Sequence, residues 1–422
     1  MNGKEKIISA IAKSDIGGVP VDFGGTAQTG IHISCIASLR EYLGLDIHPI
    51  KVVEPYQMLG EIENDLKDIL GIDTMHISAG GTMFGFKNEN WKEWKTPWGQ
   101  TVLVPGMFNT TMDEKGDVFI YPEGDTSVMP SAKMPASSFF FDAIARQGCF
   151  DENNPNPYDN TEEFSIITDE EVDYWKNMAL DLKGSDKAVI ANLIVTGFGD
   201  VAMVPGVNLK NPKGIRDITE WYMSTLIRPE YIHQVFEIQS DIAIENLKIL
   251  APILNEVIDG IYISGTDFGT QNSTFCDEET YRTLYLPYYK KVNDWIHAHT
   301  NWKTFMHSCG AIKSLIPAII DSGFDLLNPV QCSATGMDPV ELKKEFGQDI
   351  VFWGGGIDTQ KTLPFGTPEE VTKEVLYRCE VFSKNGGFVF SSIHNIQAGT
   401  PVENIVAMFN AVKEFNEKRK VS

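Results

Sequence analysis

The chain has 422 residues, of which 42% are hydrophobic and 22% charged, and its formal net charge is −23. This length is enough to bury a large core, and the negative surface disfavours phosphate backbones, so we expect no nucleic-acid partner. The absence of a secretory signal pattern or an apolar run of about 18 residues, together with only six cysteines, favours a cytoplasmic protein with reduced thiols and no membrane span.

Short apolar runs alternate along the chain with amphipathic stretches. Eight runs are candidate strands, at residues 19–25, 73–78, 188–197, 260–267, 303–310, 324–331, 350–356 and 387–395. Helical patterns occupy residues 212–225, 229–250, 278–299, 311–321, 338–346, 367–385 and 400–418. Strand and helix alternation implies parallel pairing, so the sequence predicts an α/β protein. We expect a (β/α)₈ TIM barrel spanning residues 1–422 as one domain, with an open doubly wound sheet as the alternative.

One segment interrupts this alternation. Residues 80–127 are rich in Trp, Gly and Asp, and turn signals there separate short alternating runs. That pattern is typical of β-hairpins, so we expect an antiparallel insertion over the barrel mouth. The sequence leaves open whether the insertion is a stabilising cap or a lid over a substrate.

Polar side chains fall where the predicted strands end. In a TIM barrel the catalytic groups come from the carboxyl ends of the strands and the loops that follow them. The residues in such positions are Asp22, Asp267, Gln271, His307, Cys309, Asn328, Gln331 and His394. We therefore expect them to surround a common site.

His307 and Cys309 form the most informative pair. Residues two apart on a strand point to the same side, so both side chains can reach one metal ion. Imidazole and thiolate together suit zinc, and a catalytic zinc needs a third protein ligand. His394 is the predicted third ligand and Cys332 the competing one, while a pair buried in the core without metal remains the alternative.

Two carboxylates are candidate catalytic groups. Asp267 ends an apolar run, where an unpaired carboxylate is unfavourable, and it could orient substrate, protonate a leaving group or support the metal. Asp22 lies within the first predicted strand and allows the same interpretations. For both residues a purely structural role stays open.

Several longer motifs occur in a specific order. They are VPVDFGG, SGTDFGTQNSTFCDEETYRTLYLPYYKKV, MHSCGAIKSLIPAIIDSGFDLLNPVQ, MDPVELKKEFGQDIVFWGGGIDTQ and HNIQAGTPVENI. With these motifs the chain resembles the uroporphyrinogen decarboxylase superfamily over nearly its whole length. Within that superfamily it is most similar to the zinc-dependent, corrinoid-linked methyltransferases, whose zinc motif matches His307 and Cys309. That branch often has a cysteine near the final strand, where this chain has His394.

The decarboxylase branch fits less well. Its members carry arginines after the first strand to bind substrate carboxylates, whereas this chain has Gly24 to Gln28 there and no arginine before Arg40. A site for propionates without arginine is physically implausible.

The resemblance implies methyl transfer from a small donor to cob(I)alamin on a separate corrinoid protein, with zinc or Asp267 assisting the leaving group. The chain lacks the corrinoid-binding pattern DxHxxG, so the cobalamin belongs to a partner. Aromatic residues near strand ends, Phe23 and Trp353 among them, make a methoxylated aromatic a plausible donor for O-demethylation. Predicted substrate contacts are Gln271, Asn328, Gln331, Trp353 and Phe23. The alternatives are a methylcorrinoid:thiol methyltransferase, a metal-free decarboxylase and a non-catalytic tetrapyrrole binder.

Overall fold

The computed structural model describes residues 1–193 and 197–421. Its strands are β1 (Val52–Glu54), β2 (Leu59–Gly60), β3 (Thr74–Ser78), β4 (Lys92–Lys95), β5 (Thr101–Val104), β6 (Thr110–Met112), β7 (Val118–Ile120), β8 (Ala132–Met134), β9 (Asp142–Ala143), β10 (Ala188–Asn192), β11 (Gly260–Ser264), β12 (Lys303–His307), β13 (Leu326–Asn328), β14 (Val351–Trp353) and β15 (Phe388–Val389). The predicted strand at 188–197 extends into residues 194–196, which lie outside the described residues.

The helices are α1 (Gly3–Ile11), α2 (Ile33–Tyr42), α3 (Asn64–Leu70), α4 (Asp169–Leu182), α5 (Ile218–Ile227), α6 (Pro229–Leu254), α7 (Glu278–Thr280), α8 (Leu286–His299), α9 (Ile316–Asp321), α10 (Pro339–Phe346), α11 (Thr362–Phe365), α12 (Pro368–Phe382) and α13 (Val402–Val421). A π-helical segment, Tyr281–Tyr285, joins α7 to α8. Within the described part of the chain, no helix has both the length and the apolar character needed to cross a membrane.

Seven parallel strands form one sheet in the order β15, β14, β13, β12, β11, β10, β3. Parallel strands joined by helices need crossover connections, and α6, α8, α9, α10 and α12 provide them between successive strands. Each carboxyl end therefore lies on the same edge of the sheet. The fold is mixed α/β and is compatible with a TIM barrel.

The first predicted strand differs from expectation. Residues 19–25 form no regular strand, although Val21 pairs in parallel with Phe390 beside β15. On the other side the carbonyl of Val21 accepts a hydrogen bond of 2.8 Å from the Asp73 amide, next to β3. A regular ladder is lost because the Asp73 side chain, instead of a backbone carbonyl, accepts the Val21 amide. The segment nevertheless lies between the two edges of the sheet.

A small apolar cluster fills the space enclosed by the curled sheet. Its members are Ile7, Ala10, Ala188, Ile190, Tyr262, Phe305, Leu326, Val351, Trp353 and Val389. The strand residues among them alternate with residues that pack outward against the helices, as the two-residue period of a strand requires. The residues from α1 enter at the amino ends of the strands, where the Gly387 amide donates to the Ala10 carbonyl.

Antiparallel strands interrupt the α/β alternation between β3 and α4. The β4 and β5 strands form a hairpin, and β6 to β9 form a four-stranded sheet. These strands run to Ala143, past the boundary at residue 127 expected from the sequence. The sheet is attached to the turn after β1, because the Tyr56 hydroxyl accepts the Ala143 amide at 3.0 Å and the Tyr56 carbonyl accepts the Phe141 amide at 2.8 Å.

Candidate metal centre

Three potential metal ligands converge at the carboxyl ends of β11 and β12. One ligand atom from each of Asp267, His307 and Cys309 lies within 4.8 Å of the other two. The Cys309 Sγ is 3.5 Å from His307 Nε2, and an Asp267 carboxylate oxygen is 3.8 Å from the same nitrogen. Ligands of a tetrahedral zinc, each about 2.0–2.3 Å from the metal, are separated by similar distances. The donor set of nitrogen, sulfur and oxygen therefore fits zinc.

A chain of hydrogen bonds fixes which nitrogen of His307 faces this group. The Asn328 Nδ2 donates to the Trp353 carbonyl at 2.9 Å, which orients the amide so that Oδ1 faces His307 Nδ1 at 2.6 Å. Nδ1 therefore carries the proton, and Nε2 is left with a lone pair directed at Cys309 and Asp267. A neutral imidazole held by such a neighbour is the usual form of a histidine metal ligand.

Close contact between two loops brings Asp267 to Cys309. The loop after β11 and the loop after β12 touch backbone to backbone, and the Ala311 amide donates to the Thr270 carbonyl at 2.8 Å. A side chain on Gly310, whose φ is +93°, would overlap the backbone of Gly269. Glycine is needed at this position both for its backbone angle and for the close approach.

Two further hydrogen bonds hold the Asp267 loop. The Cys309 amide donates to the Asp267 carboxylate at 2.7 Å, and the Tyr222 hydroxyl of α5 donates to the Asp267 carbonyl at 2.6 Å. The carboxylate thus faces the thiol and the imidazole although its side chain is 44% exposed. Asp267 is the third member of the group.

The electrostatics of the group favour the uncharged forms of Cys309 and His307. Burial and the nearby negative charge of Asp267 raise the pKa of the Cys309 thiol well above its usual value. Burial also lowers the pKa of His307, which keeps the imidazole neutral. A bound metal ion reverses the first effect because it deprotonates a coordinating thiol. The residues present therefore fit a metal centre in which the thiolate would form on metal binding.

Asp22 is fully buried within the protein. Its carboxylate accepts hydrogen bonds from Trp353 Nε1 at 2.7 Å, Thr74 Oγ1 at 2.5 Å and the Gly25 amide at 2.9 Å. Burial raises the pKa of Asp22. Asp22 and Trp353 are thereby connected to His307 through the amide of Asn328.

The other predicted substrate contacts are dispersed. Phe23 is fully buried and packs 4.8 Å from the Phe409 ring on α13, because it alternates with the inward-facing Asp22 and so points to the opposite side. Gln271 is exposed and donates to Gln360 at 3.2 Å. Gln331 is buried, and its Oε1 accepts the Gly310 amide at 2.8 Å, which supports the Cys309 loop.

His394 lies next to the triad without being part of it. Its ring centroid is 6.2 Å from that of His307, and its Nδ1 is 2.9 Å from Asn395 Oδ1. The Asn395 amide in turn donates to Gln57, in the turn to which the inserted sheet is attached. Cys332 is farther from the group and lies beside the charges of Glu374 and Arg378, and burial raises its pKa to about 12.

Two residues near the triad were missed in the sequence. Asp200 follows β10, and its carboxylate accepts the Gly265 amide at 2.9 Å. The rule that polar residues follow strand ends applies to Asp200 and would have identified it. Tyr262 lies in the middle of an apolar strand, and only the register of the sheet shows that it faces inward, so no local signal marks it.

The family described as "Uroporphyrinogen decarboxylase (URO-D)" matches residues 209–415. Comparison with curated protein sequences finds no match. Among solved structures, a methyltransferase from Methanosarcina mazei aligns with a TM-score of 0.54 and 14% identity, over 98% of this chain and 99% of that chain. At this identity the likeness shows a shared fold alone.

Two glycosidase structures are more distant. A hyperthermophilic β-glucosidase mutant gives a TM-score of 0.34 at 11% identity, over 84% of this chain and 74% of that chain. The Ignisphaera aggregans GH53 catalytic domain gives a TM-score of 0.32 at 10% identity, over 93% of this chain and 98% of that chain. Neither carries an argument about this protein. The family match covers four of the five motifs singled out in the sequence, and it confirms, over residues 209–415, the resemblance to the uroporphyrinogen decarboxylase family that they indicated.

Proposed function

We propose that this protein is a zinc-dependent methyltransferase that moves a methyl group from a small methoxylated aromatic donor to cob(I)alamin on a separate corrinoid protein. The observation that carries the proposal is the convergence of Asp267, His307 and Cys309 at the carboxyl ends of β11 and β12. The family of residues 209–415 and the fold shared with a methyltransferase are consistent with it. A cytoplasmic location remains part of the proposal.

We infer further that the segment around Val21 completes an eight-position barrel. In that arrangement the loops after β11, β12, β13 and β15 surround one mouth. Asp267, Cys309, His394 and Asp200 then face the same opening, which a donor and a corrinoid could enter together.

His307, Cys309 and Asp267 would hold the zinc. When bound, zinc supplies Lewis acidity to a donor ether oxygen, which makes the departing phenolate a better leaving group. Asn328 keeps His307 in the tautomer that this requires, and Asp267 adds a negative charge that balances the ion. Asn328 therefore acts as a positioning residue, and Asp22 supports it through Trp353.

Metal analysis tests the ligand set. Zinc-loaded protein should hold about one zinc per chain, and Cys309→Ser should lose most of it because a hydroxyl is a poor zinc ligand. Cys332→Ser is the matched control, since the same atom is exchanged outside the triad, and it should keep its zinc. Equal loss from both variants, or from neither, would contradict the assignment. His394→Gln, measured alongside, reports whether His394 also contributes, as the sequence predicts.

Spectroscopy tests the reaction. Under anaerobic conditions, zinc-loaded protein should convert cob(I)alamin to methylcobalamin with methoxylated phenols, and zinc-free protein should not. Demethylation of methylcobalamin by an added thiol, without the forward reaction, would instead identify a methylcorrinoid:thiol methyltransferase.

A further inference from the structure

Asp200 forms a second polar group beside the triad. It follows β10, which pairs with β11, the strand that precedes Asp267. One oxygen of its carboxylate accepts the Gly265 amide at 2.9 Å and the other accepts the Ala202 amide at 2.9 Å. Asp200 is thus fixed two residues from the Asp267 backbone, and it has no part in the metal group.

Tyr262 and Gln28 adjoin Asp200. A side chain on Gly265 would overlap the Tyr262 hydroxyl and come within 2.7 Å of the Asp200 carboxylate, so both groups lie against the same glycine. Gln28, which follows the segment around Val21, donates to the Tyr262 hydroxyl at 2.9 Å. The Oε1 of Gln28 is buried and has no hydrogen-bond partner within residues 1–193 and 197–421. The wall formed by these residues presents hydrogen-bond acceptors.

Among the described residues, Arg216 lines a small cavity together with Asp200, but its guanidinium is paired with Glu162 and Glu163. Burial and the negative charge of Asp267 raise the pKa of Asp200 to about 6, which leaves it mostly ionised at neutral pH. The ionisable groups that shift the pKa values of Asp200, Cys309 and His394 are Asp267 and, for His394 alone, His307, and no lysine or arginine of the described residues is among them. A divalent zinc with one thiolate and one carboxylate is neutral, so Asp200 gives the loaded site a net negative charge.

We propose that the wall of Asp200, Tyr262 and Gln28 selects the methyl donor by charge, admitting neutral and cationic donors and rejecting carboxylates. This proposal rests on the proposed function, since it concerns the donor of that reaction. Recognition of a carboxylate needs an arginine or lysine that is free to pair with it, and no lysine or arginine of the described residues acts on Asp200, Cys309 or His394. A carboxylate placed near Asp200 meets a like charge, which lowers its affinity.

A matched donor series tests this selection. Vanillyl alcohol, vanillylamine and vanillate share the methoxyphenol ring and differ only in a neutral, cationic or anionic substituent. Calorimetry with zinc-loaded wild type should give tighter binding of the alcohol and the amine than of the acid. Asp200→Asn removes the charge and keeps one of the two accepted hydrogen bonds, because an amide has a single acceptor oxygen, and the ratio of amine to acid affinity should fall about tenfold.

Asp113→Asn is the control variant. Asp113 accepts two backbone amides in an exposed hairpin turn of the inserted sheet, so the change removes the same charge outside the mouth. Its affinity ratio should equal that of wild type. Vanillate binding as tightly as vanillylamine, or an unchanged ratio in Asp200→Asn, would overturn the proposal.

The two proposals fail separately. Charge-selective binding that depends on Asp200, without methyl transfer from any donor, supports the selecting wall and contradicts the methyltransferase. Methyl transfer that proceeds equally from all three donors supports the methyltransferase and contradicts the selecting wall. Failure of all three donors to bind contradicts both.

Discussion

The tautomer of His307 depends on Asn328, which is not one of the three potential metal ligands. Asn328 is fixed by the Trp353 carbonyl and therefore presents an acceptor to Nδ1, which leaves Nε2 for a metal. Such a neighbour commonly changes metal affinity by 10- to 100-fold when removed. The side chain that decides the tautomer is therefore as important to the site as the ligand itself.

Asn328→Leu should weaken zinc binding about 10- to 100-fold, because the imidazole loses the acceptor that fixes its tautomer. Competition with a chelator measures the affinity. Asn404→Leu is the control: Asn404 is also buried and donates to backbone carbonyls, at Leu363 and Gly366, but lies outside the triad. Its stability should fall while its zinc affinity stays at the wild-type value. Zinc affinity that falls equally in both variants would show a general loss of structure.

Asp200 should destabilise the metal-free protein at neutral pH. Its pKa is raised from an ordinary value of about 3.9 to about 6, so the unfolded chain ionises first as the pH rises. The stability associated with the protonated carboxyl is present below pH 4 and is lost as the pH rises to 6. Asp200→Asn has no carboxyl to titrate. Its free energy of unfolding, relative to that of wild type, should therefore rise by roughly 2–3 kcal/mol between pH 4 and pH 7. Urea unfolding at both pH values measures it, and a pH-independent difference would contradict it.

At the scale of secondary-structure elements, the candidate metal site is formed by the loops after β11 and β12. Their contact passes through Gly269 and Gly310, where a Cβ on either residue would lie too close to the backbone of the other loop. Asp267 reaches Cys309 only because these backbones touch. Gly269 and Gly310 are about forty residues apart in the sequence, so no local sequence pattern predicts their contact.

Gly310→Ala should separate the two loops and lower zinc occupancy at a fixed zinc concentration. Gly336→Ala is the matched control, since Gly336 also has a positive φ, +77°, but no atom lies within 4 Å of the added Cβ. Both changes strain the backbone, so stability should fall in both, by about 1 kcal/mol in the control. Zinc occupancy should fall only in Gly310→Ala, and equal occupancy in the two variants would show that the loop contact does not hold the site.

The sequence predicted long elements better than short ones. Helix α10 begins where Asp338 caps two backbone amides, and α12 begins at the capping box of Thr367 and Glu370, so both starts were readable. The position of a strand as short as β15 could be predicted, but its first and last residues could not. The predicted strand at 19–25 does not form because the Asp73 side chain accepts the Val21 amide. His307 and Cys309 were predicted to share a face because strand geometry requires it. Asp267 lies beside them because the backbones of Gly269 and Gly310 touch, and this contact is visible only in the folded structure.

At the scale of the whole molecule, the site lies at one end of the curled sheet and α1 closes the other. Ile7 and Ala10 of α1 pack into the inner cluster with Tyr262, Phe305 and Trp353. Trp353 connects this cluster to Asp22 and to Asn328. The inserted sheet lies at the site end, where Gln57 contacts Asn395. A single barrel domain over residues 1–422 remains a prediction.

Ile7→Ala should reduce the free energy of unfolding by about 2–5 kcal/mol, because it leaves a cavity in a fully buried cluster. Ile8→Ala on the same helix is the control, since Ile8 is 46% exposed and should change stability by less than about 0.5 kcal/mol. Denaturant unfolding measures both. Similar losses of unfolding free energy in the two variants would show that Ile7 of α1 does not stabilise the inner cluster of the sheet.

The account depends above all on one cation shared by Asp267, His307 and Cys309. X-ray absorption at the zinc edge of the loaded protein measures this directly. We expect one sulfur at about 2.3 Å together with nitrogen and oxygen at about 2.0–2.2 Å, and loss of the sulfur in Cys309→Ser. A zinc shell without sulfur, or one whose sulfur remains in Cys309→Ser, would contradict the account.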